Sequence, residues 1–222
     1  MHAAKTSMRL ADQLYLIAHE ERTGRSRVHP RAAGLGLAAG LVGELMLLGR
    51  VTMDGGELRV VSREPPGDAL AHHVLDLLVA QWQHRDLRTW LAFLAQDAIA
   101  KVGERLLRAG AVEAVVRRRF MGPTQTTYLP VNADQRNAAV WAGVRLANLL
   151  VEQGGGLAPA EGVLAGLVLA TGLTRHVLWD FPLHRPGLAN LHTAVEFLPA
   201  ELRELVEHTQ TSVGAVLAAG RR

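Results

Sequence analysis

Three arginines followed by two large apolar side chains, Arg117-Arg118-Arg119-Phe120-Met121, are the residues here whose types and spacing point most directly to chemistry. Guanidinium groups take phosphate and carboxylate oxygens through paired N–H donors. A Phe-Met pair beside them suits the headgroup region of a bilayer or the apolar face of a protein partner. The run stands in an extended segment, Ala114–Val131, broken by Gly122-Pro123. That pattern predicts a hairpin. Clustered cations attract an anionic leaflet by about 1 kcal/mol each, so three hold weakly, and self-association would multiply the patch. The bland reading of the same residues is a solvated strand edge, where Arg discourages pairing with other chains.

Other chemistry is poorly supplied. The chain has no cysteine, which excludes disulfides, thiolate metal sites and a cysteine nucleophile. Of ten histidines, the adjacent His72-His73 diverge by about 100° on a helix. His176, Asp180 and His184 are separated by Pro182. No zinc or iron spacing stands out, so no metal is expected. None of Ser7, Ser26, Ser62 or Ser212 lies in a nucleophile motif. Glu20-Glu21 reads as a solvated helix end, because consecutive residues diverge on a helix and an acid–base pair needs a common cleft. Gly34-Leu35-Gly36 and Gly154-Gly155-Gly156 lack a nucleotide-binding frame. No cofactor is expected, and the sequence reads as non-enzymatic.

The elements that must position the arginines follow from composition and periodicity. Of 222 residues, 49% are hydrophobic and only 5% aromatic, so the core must be mostly Leu, Val and Ala, which favours packed helices. A net charge of +3 makes any basic function local. No helix shows the Arg/Asn/Gln cluster of a DNA-recognition helix, and no nucleic-acid partner is expected. No secretory signal and no run of about 18 apolar residues is visible, so a cytoplasmic chain with at most peripheral membrane contact is expected.

Helices are predicted over Leu10–His19, with Gly24 as a stop, and over about Arg31–Leu48, where Leu37, Leu41, Val42, Leu45 and Leu48 mark one buried face. Gly34, Gly36, Gly40 and Gly43 in that helix predict close helix contact. Gly49–Met53 and Glu57–Val61 around Asp54-Gly55-Gly56 predict a first hairpin. Three helices follow, one carrying Leu70, Val74, Leu77 and Leu78, then Asp86–Leu94 and Asp97–Arg108. After the arginine hairpin, Asn132-Ala133-Asp134 opens a helix to Glu152. Pro159 opens an apolar helix, Pro182 and Pro186 interrupt the next stretch, and Leu198-Pro199 starts the last. Its predicted buried stripe is Leu202, Leu205, Val206, Val213, Val216 and Leu217. Trp82, Trp90, Trp141 and Trp179 read as packing residues, with one of Trp82 and Trp90 expected to be partly exposed because they flank Gln83-His84-Arg85-Asp86. The whole, residues 1–222, reads as a mainly α single domain: a helical core bundle ringed by amphipathic helices, with two short β-hairpins.

Several stretches, in this order, resemble the bacterial branch of the Golgi phosphoprotein 3 family. They are Leu14-Tyr15-Leu16-Ile17-Ala18-His19-Glu20-Glu21-Arg22-Thr23-Gly24-Arg25, then Gly40-Leu41-Val42-Gly43-Glu44-Leu45-Met46-Leu47-Leu48-Gly49-Arg50-Val51, then Val102-Gly103-Glu104-Arg105-Leu106, and the Leu198-Pro199 helix. The resemblance implies peripheral adaptors that bind phosphatidylinositol 4-phosphate and the cytoplasmic tails of other proteins. In that family the second hairpin lies beside the lipid pocket and takes part in self-association. The pocket's tryptophan and three arginines correspond here to His29, Ala38, Ala100 and Gly103, none of which matches. Nearby cations would have to substitute with a different geometry. The candidate contact set for an anionic headgroup is therefore Arg117, Arg118, Arg119, Phe120 and Met121, with His29, Arg31 and Lys101 beside them. The alternative is a self-assembly or protein-tail module whose 114–131 hairpin makes the contacts without lipid.

Overall fold

The computed structural model describes residues 8–117, 125–153, 156–178 and 184–220. In chain order the elements are α1 (Leu10–Ala18), α2 (Pro30–Leu47), β1 (Val51–Asp54), β2 (Glu57–Val60), α3 (Ala69–Ala80), α4 (Leu87–Leu94) and α5 (Ala98–Arg108). Then come β3 (Glu113–Arg117), β4 (Gln125–Leu129), α6 (Ala133–Gln153), α7 (Pro159–Thr171), α8 (Thr174–Leu178), α9 (His184–Glu196) and α10 (Ala200–Ala219). The strands form two separate antiparallel hairpins, so the protein is mainly α, as its composition requires.

Helix α2 is the axis of the fold. Every residue from Ala32 to Met46 is buried, where the periodicity predicts one buried face. The reason lies in its neighbours: α1, α3, α4, α5, α7 and α10 all pack on it, leaving no side for water. Small residues permit the enclosure. A methyl group built on Gly40 would lie 3.1 Å from Ala11 Cα, and one on Gly34 would lie 2.8 Å from the Ala95 carbonyl oxygen. Each glycine costs helix propensity of roughly 1 kcal/mol, offset by close contact along the crossings.

Local signals explain most boundaries. Asp68 and Asp86 accept the Ala71 and Thr89 N–H groups (2.9 and 2.8 Å) to cap α3 and α4. Asn132 accepts the Gln135 N–H (2.8 Å) ahead of α6, and Pro159 occupies the first turn of α7. Gly55 and Gly56 adopt φ of +59° and +80°, the left-handed pair that a two-residue hairpin turn needs. Gly24 (φ +67°) does not stop α1, which ends at Ala18; it turns the chain so that His19 pairs with Ser26. Pro186 lies within the first turn of α9 and does not interrupt it, while Pro182 lies outside the described residues. The last stripe is shorter than its spacing suggests: Leu202, Leu205, Val206 and Val213 are buried, Val216 is half-buried and Leu217 is exposed. Of the tryptophans, Trp90 is core, whereas Trp82 and Trp141 are exposed.

Candidate functional site

Strands β3 and β4 pair from Glu113↔Leu129 to Arg117↔Gln125, so the arginine run begins where β3 ends. Arg118, Arg119, Phe120 and Met121 lie outside the described residues. Next to the run, Val116 is 61% exposed, an apolar side chain on the outward face of a two-stranded ribbon.

The base of this hairpin is fastened to the bundle. Tyr15 of α1 donates its hydroxyl to the Tyr128 carbonyl (3.0 Å). Gln135 of α6 donates to the Gly110 carbonyl (2.9 Å) and accepts the Val131 N–H (3.0 Å), clamping both ends of the segment. The Tyr128 ring lies against Gly103 of α5: a methyl built there would sit 2.7 Å from Tyr128 Cγ. Burial holds the Tyr15 hydroxyl well above the usual phenol range, so it stays a donor.

The remaining candidates are dispersed. His29 caps α2, accepting the Arg31 N–H at 3.2 Å through Nδ1. Arg31 is exposed and lines a groove of ≈ 510 Å³ with Leu35, Ala95, Ile99 and Val216. Lys101 is engaged elsewhere, its Nζ 2.9 Å from Asp97 and 3.0 Å from His73 of α3. Of the four positions where the resemblance places a headgroup pocket, Ala38 is fully buried and Gly103 lies under Tyr128. Only His29 and Ala100 are exposed. Two positions thus lack both a side-chain donor and access to solvent.

The most elaborate polar arrangement escapes the sequence reading. Arg105 of α5 is buried and donates from Nε to Asp12 (2.8 Å), from Nη1 and Nη2 to both Glu44 oxygens (2.8 and 2.9 Å), and from Nη1 to Asp68 (3.0 Å). Glu44 also accepts the Ala11 N–H (2.9 Å), and Arg9 pairs with Asp68 (2.6 Å). The cluster ties α1, α2, α3 and α5 together. A signal was present in the sequence: Asp12 and Glu44 are the lone acids inside otherwise apolar helical runs. His19 is buried rather than solvated: it closes α1, its N–H donating to the Tyr15 carbonyl (3.1 Å), and its ring stacks on Tyr15 with centroids 4.1 Å apart.

In this cluster three carboxylates face two guanidinium groups, so one negative charge is in excess. Burial lifts Asp12 to about 6 despite the opposing charge of Arg105, with Glu44 adding to the rise. Asp68 goes the other way: burial pushes it up, but the Ala71 N–H and Arg105 outweigh that and hold it below 3.8. The folded state therefore keeps a proton on Asp12 between about pH 4 and 6 that the unfolded chain has released. The Asp12 contribution falls as pH rises through that window, by roughly 2–3 kcal/mol, while His19, whose pKa burial lowers from 6.5, contributes the opposite slope below about pH 6.5. Asp68 contributes the opposite slope only below about pH 4. In urea unfolding from pH 4 to 7, the stability of the parent protein minus that of Asp12→Asn is expected to decline as pH rises, and a difference that stays constant would locate the proton elsewhere.

An enclosed central helix, a ring of further helices and two hairpins, the second ending in a basic run, define a helical protein without a visible catalytic constellation among the described residues. No helix among them is long and apolar enough to cross a membrane. The model of the Golgi phosphoprotein 3 (GPP34) family matches residues 10–209, and the chain belongs to that family. No curated protein matches the sequence at a significant level.

Proposed function

We propose that this chain is a non-enzymatic adaptor that associates peripherally with anionic membrane through the β3–β4 hairpin. The observation that carries the reading is the basic-apolar run Arg117–Met121 leaving the end of β3 beside exposed Val116. The base of the hairpin is fastened to the bundle by Tyr15 and Gln135, which lowers the ordering cost of a contact made through β3 and β4. Family membership supports an adaptor role. With Ala38 buried and Gly103 covered, attraction rests on charge and the headgroup is chosen weakly; phosphatidylinositol 4-phosphate enters by family resemblance alone. Arg31, beside its groove, and His29 are secondary contacts, and Lys101 joins only by giving up Asp97.

Vesicle sedimentation tests this. Recovery with phosphatidylglycerol, cardiolipin or phosphoinositide vesicles should exceed that with phosphatidylcholine, fall with salt, and drop to the neutral level in Arg117/Arg118/Arg119→Ala. Equal recovery on neutral and anionic vesicles sinks the reading.

A second reading, self-assembly or protein-tail binding through the same hairpin, is favoured by apolar exposure nearby in sequence on α6, at Val140 (50%) and Trp141 (60%). Light scattering separates it. Deleting 118–124 should leave a monomer if the hairpin joins subunits, and an unchanged mass removes that role.

A further inference from the structure

A second group of cations surrounds a cleft built by other elements. β1, β2, the end of α3 and the 81–86 turn enclose ≈ 390 Å³. Its floor is apolar, from buried Val51, Leu58 and Leu78. Its rim carries Arg59, Arg63 and Arg85, and Trp82 with 68% of its surface exposed.

The rim cations are nearly uncommitted. Arg59 has only distant carboxylates, Asp54 at 3.7 Å and Glu57 at 3.9 Å. The guanidinium groups of Arg63 and Arg85 make no hydrogen bond or ion pair with any described residue. The walls, by contrast, are fixed by backbone bonds. Leu58 N–H donates to the Arg85 carbonyl (2.8 Å) and Leu87 N–H to the Gly56 carbonyl (2.9 Å), so the turn runs as a partial third strand along β2. Trp90 Nε1 donates to the His84 carbonyl (2.7 Å), and Val61 N–H to the Arg50 carbonyl (2.9 Å). The side chains that would meet a ligand take no part in these bonds.

We propose that this cleft is a binding site for a small phosphorylated ring compound of the nucleotide class. Arg63 and Arg85 hold the phosphoryl group, Arg59 adds charge, and the Trp82 indole takes the ring. Guanidinium groups match phosphate oxygens with paired donors, and an indole face stacks any flat base. The volume lies at the lower end of the range of about 300–1,000 Å³ that small-ligand sites occupy. Inorganic phosphate alone would leave the indole and the apolar floor uncovered. No glycine loop supplies backbone donors here, so binding depends on side-chain charge and weakens with salt. The site is independent of the membrane reading, since it shares no residue with the β3–β4 hairpin.

Calorimetry and tryptophan fluorescence on the full chain at low salt test this, with adenosine 5′-monophosphate as the probe. Saturable binding is expected, about tenfold or more tighter than for adenosine or inorganic phosphate, since losing charge-assisted hydrogen bonds or a stacking surface costs at least that. Arg63→Gln/Arg85→Gln should weaken it about tenfold or more with an unchanged melting temperature, because the Arg85 contribution to the fold is its carbonyl. Trp82→Ala should abolish the fluorescence change and weaken binding by a similar factor. Three results would each overturn the site, whatever the vesicle assay shows: equal affinity for the monophosphate and inorganic phosphate, undiminished binding in the double arginine variant, or no saturable binding of the monophosphate.

Discussion

Replacing Arg105 with Met should lower the free energy of unfolding by about 3–5 kcal/mol, the usual cost of leaving buried charge without its partner. Asp12, Glu44 and Asp68 would remain side by side, with 8–11% of each side chain exposed and only Arg9 to offset them. At least one of them would have to take up a proton, so the loss should be smaller at pH 5 than at pH 7. Chemical denaturation at both pH values checks this. A second variant, Arg105→Met with Glu44→Gln and Asp12→Asn, should recover a large part of the loss, because uncharged partners carry no uncompensated charge. A loss below about 1 kcal/mol in the single variant, within the range of exposed ion pairs, would mean that the cluster is far more solvated than its geometry indicates.

Gly103→Arg should detach the second hairpin without unfolding the bundle. The new Cβ meets the body of the Tyr128 ring, 2.7 Å from Cγ, rather than a mobile tip. Relief requires β4 to shift, which also breaks the Tyr15–Tyr128 hydrogen bond. The combined cost is about 2–4 kcal/mol, from overpacking and a lost buried bond. Hydrogen exchange should show faster exchange of β3 and β4 amides while those of α2 stay protected. Unchanged β4 protection would show that the ring moves aside at little cost. Installing an arginine at a position where the family resemblance places one therefore disrupts the hairpin before it builds any phosphate site.

The fold was legible wherever a local rule carried it. Asp86, Asn132 and Pro159 mark helix starts through caps and a fixed φ, and Gly55-Gly56 marks a hairpin through its left-handed φ pair. What escaped depended on which neighbours arrive. The spacing of Leu37, Leu41 and Leu45 describes one face of α2 equally well whether the opposite face meets water or other helices. Only the glycines hinted at the second case. Large aromatics usually pack, yet Trp141 stands on the outside; of Trp82 and Trp90, which flank a polar turn where one is expected to be partly exposed, Trp82 is the one outside. The candidate site divides similarly. The cation run is plain in the sequence. The closure of Gly103 by Tyr128, 25 positions later, arises from tertiary packing that no spacing records.

The enclosure of α2 also constrains how the protein comes into being. Translation delivers this helix early, while α7 and α10, two of the helices that wrap it, are not complete until Thr171 and Ala219 have been added. Until they are added, a glycine- and leucine-rich rod has some of its sides bare. Such surface in a partly made chain is aggregation-prone and a natural client for chaperones. Helix α10 thus helps seal a helix made well before it.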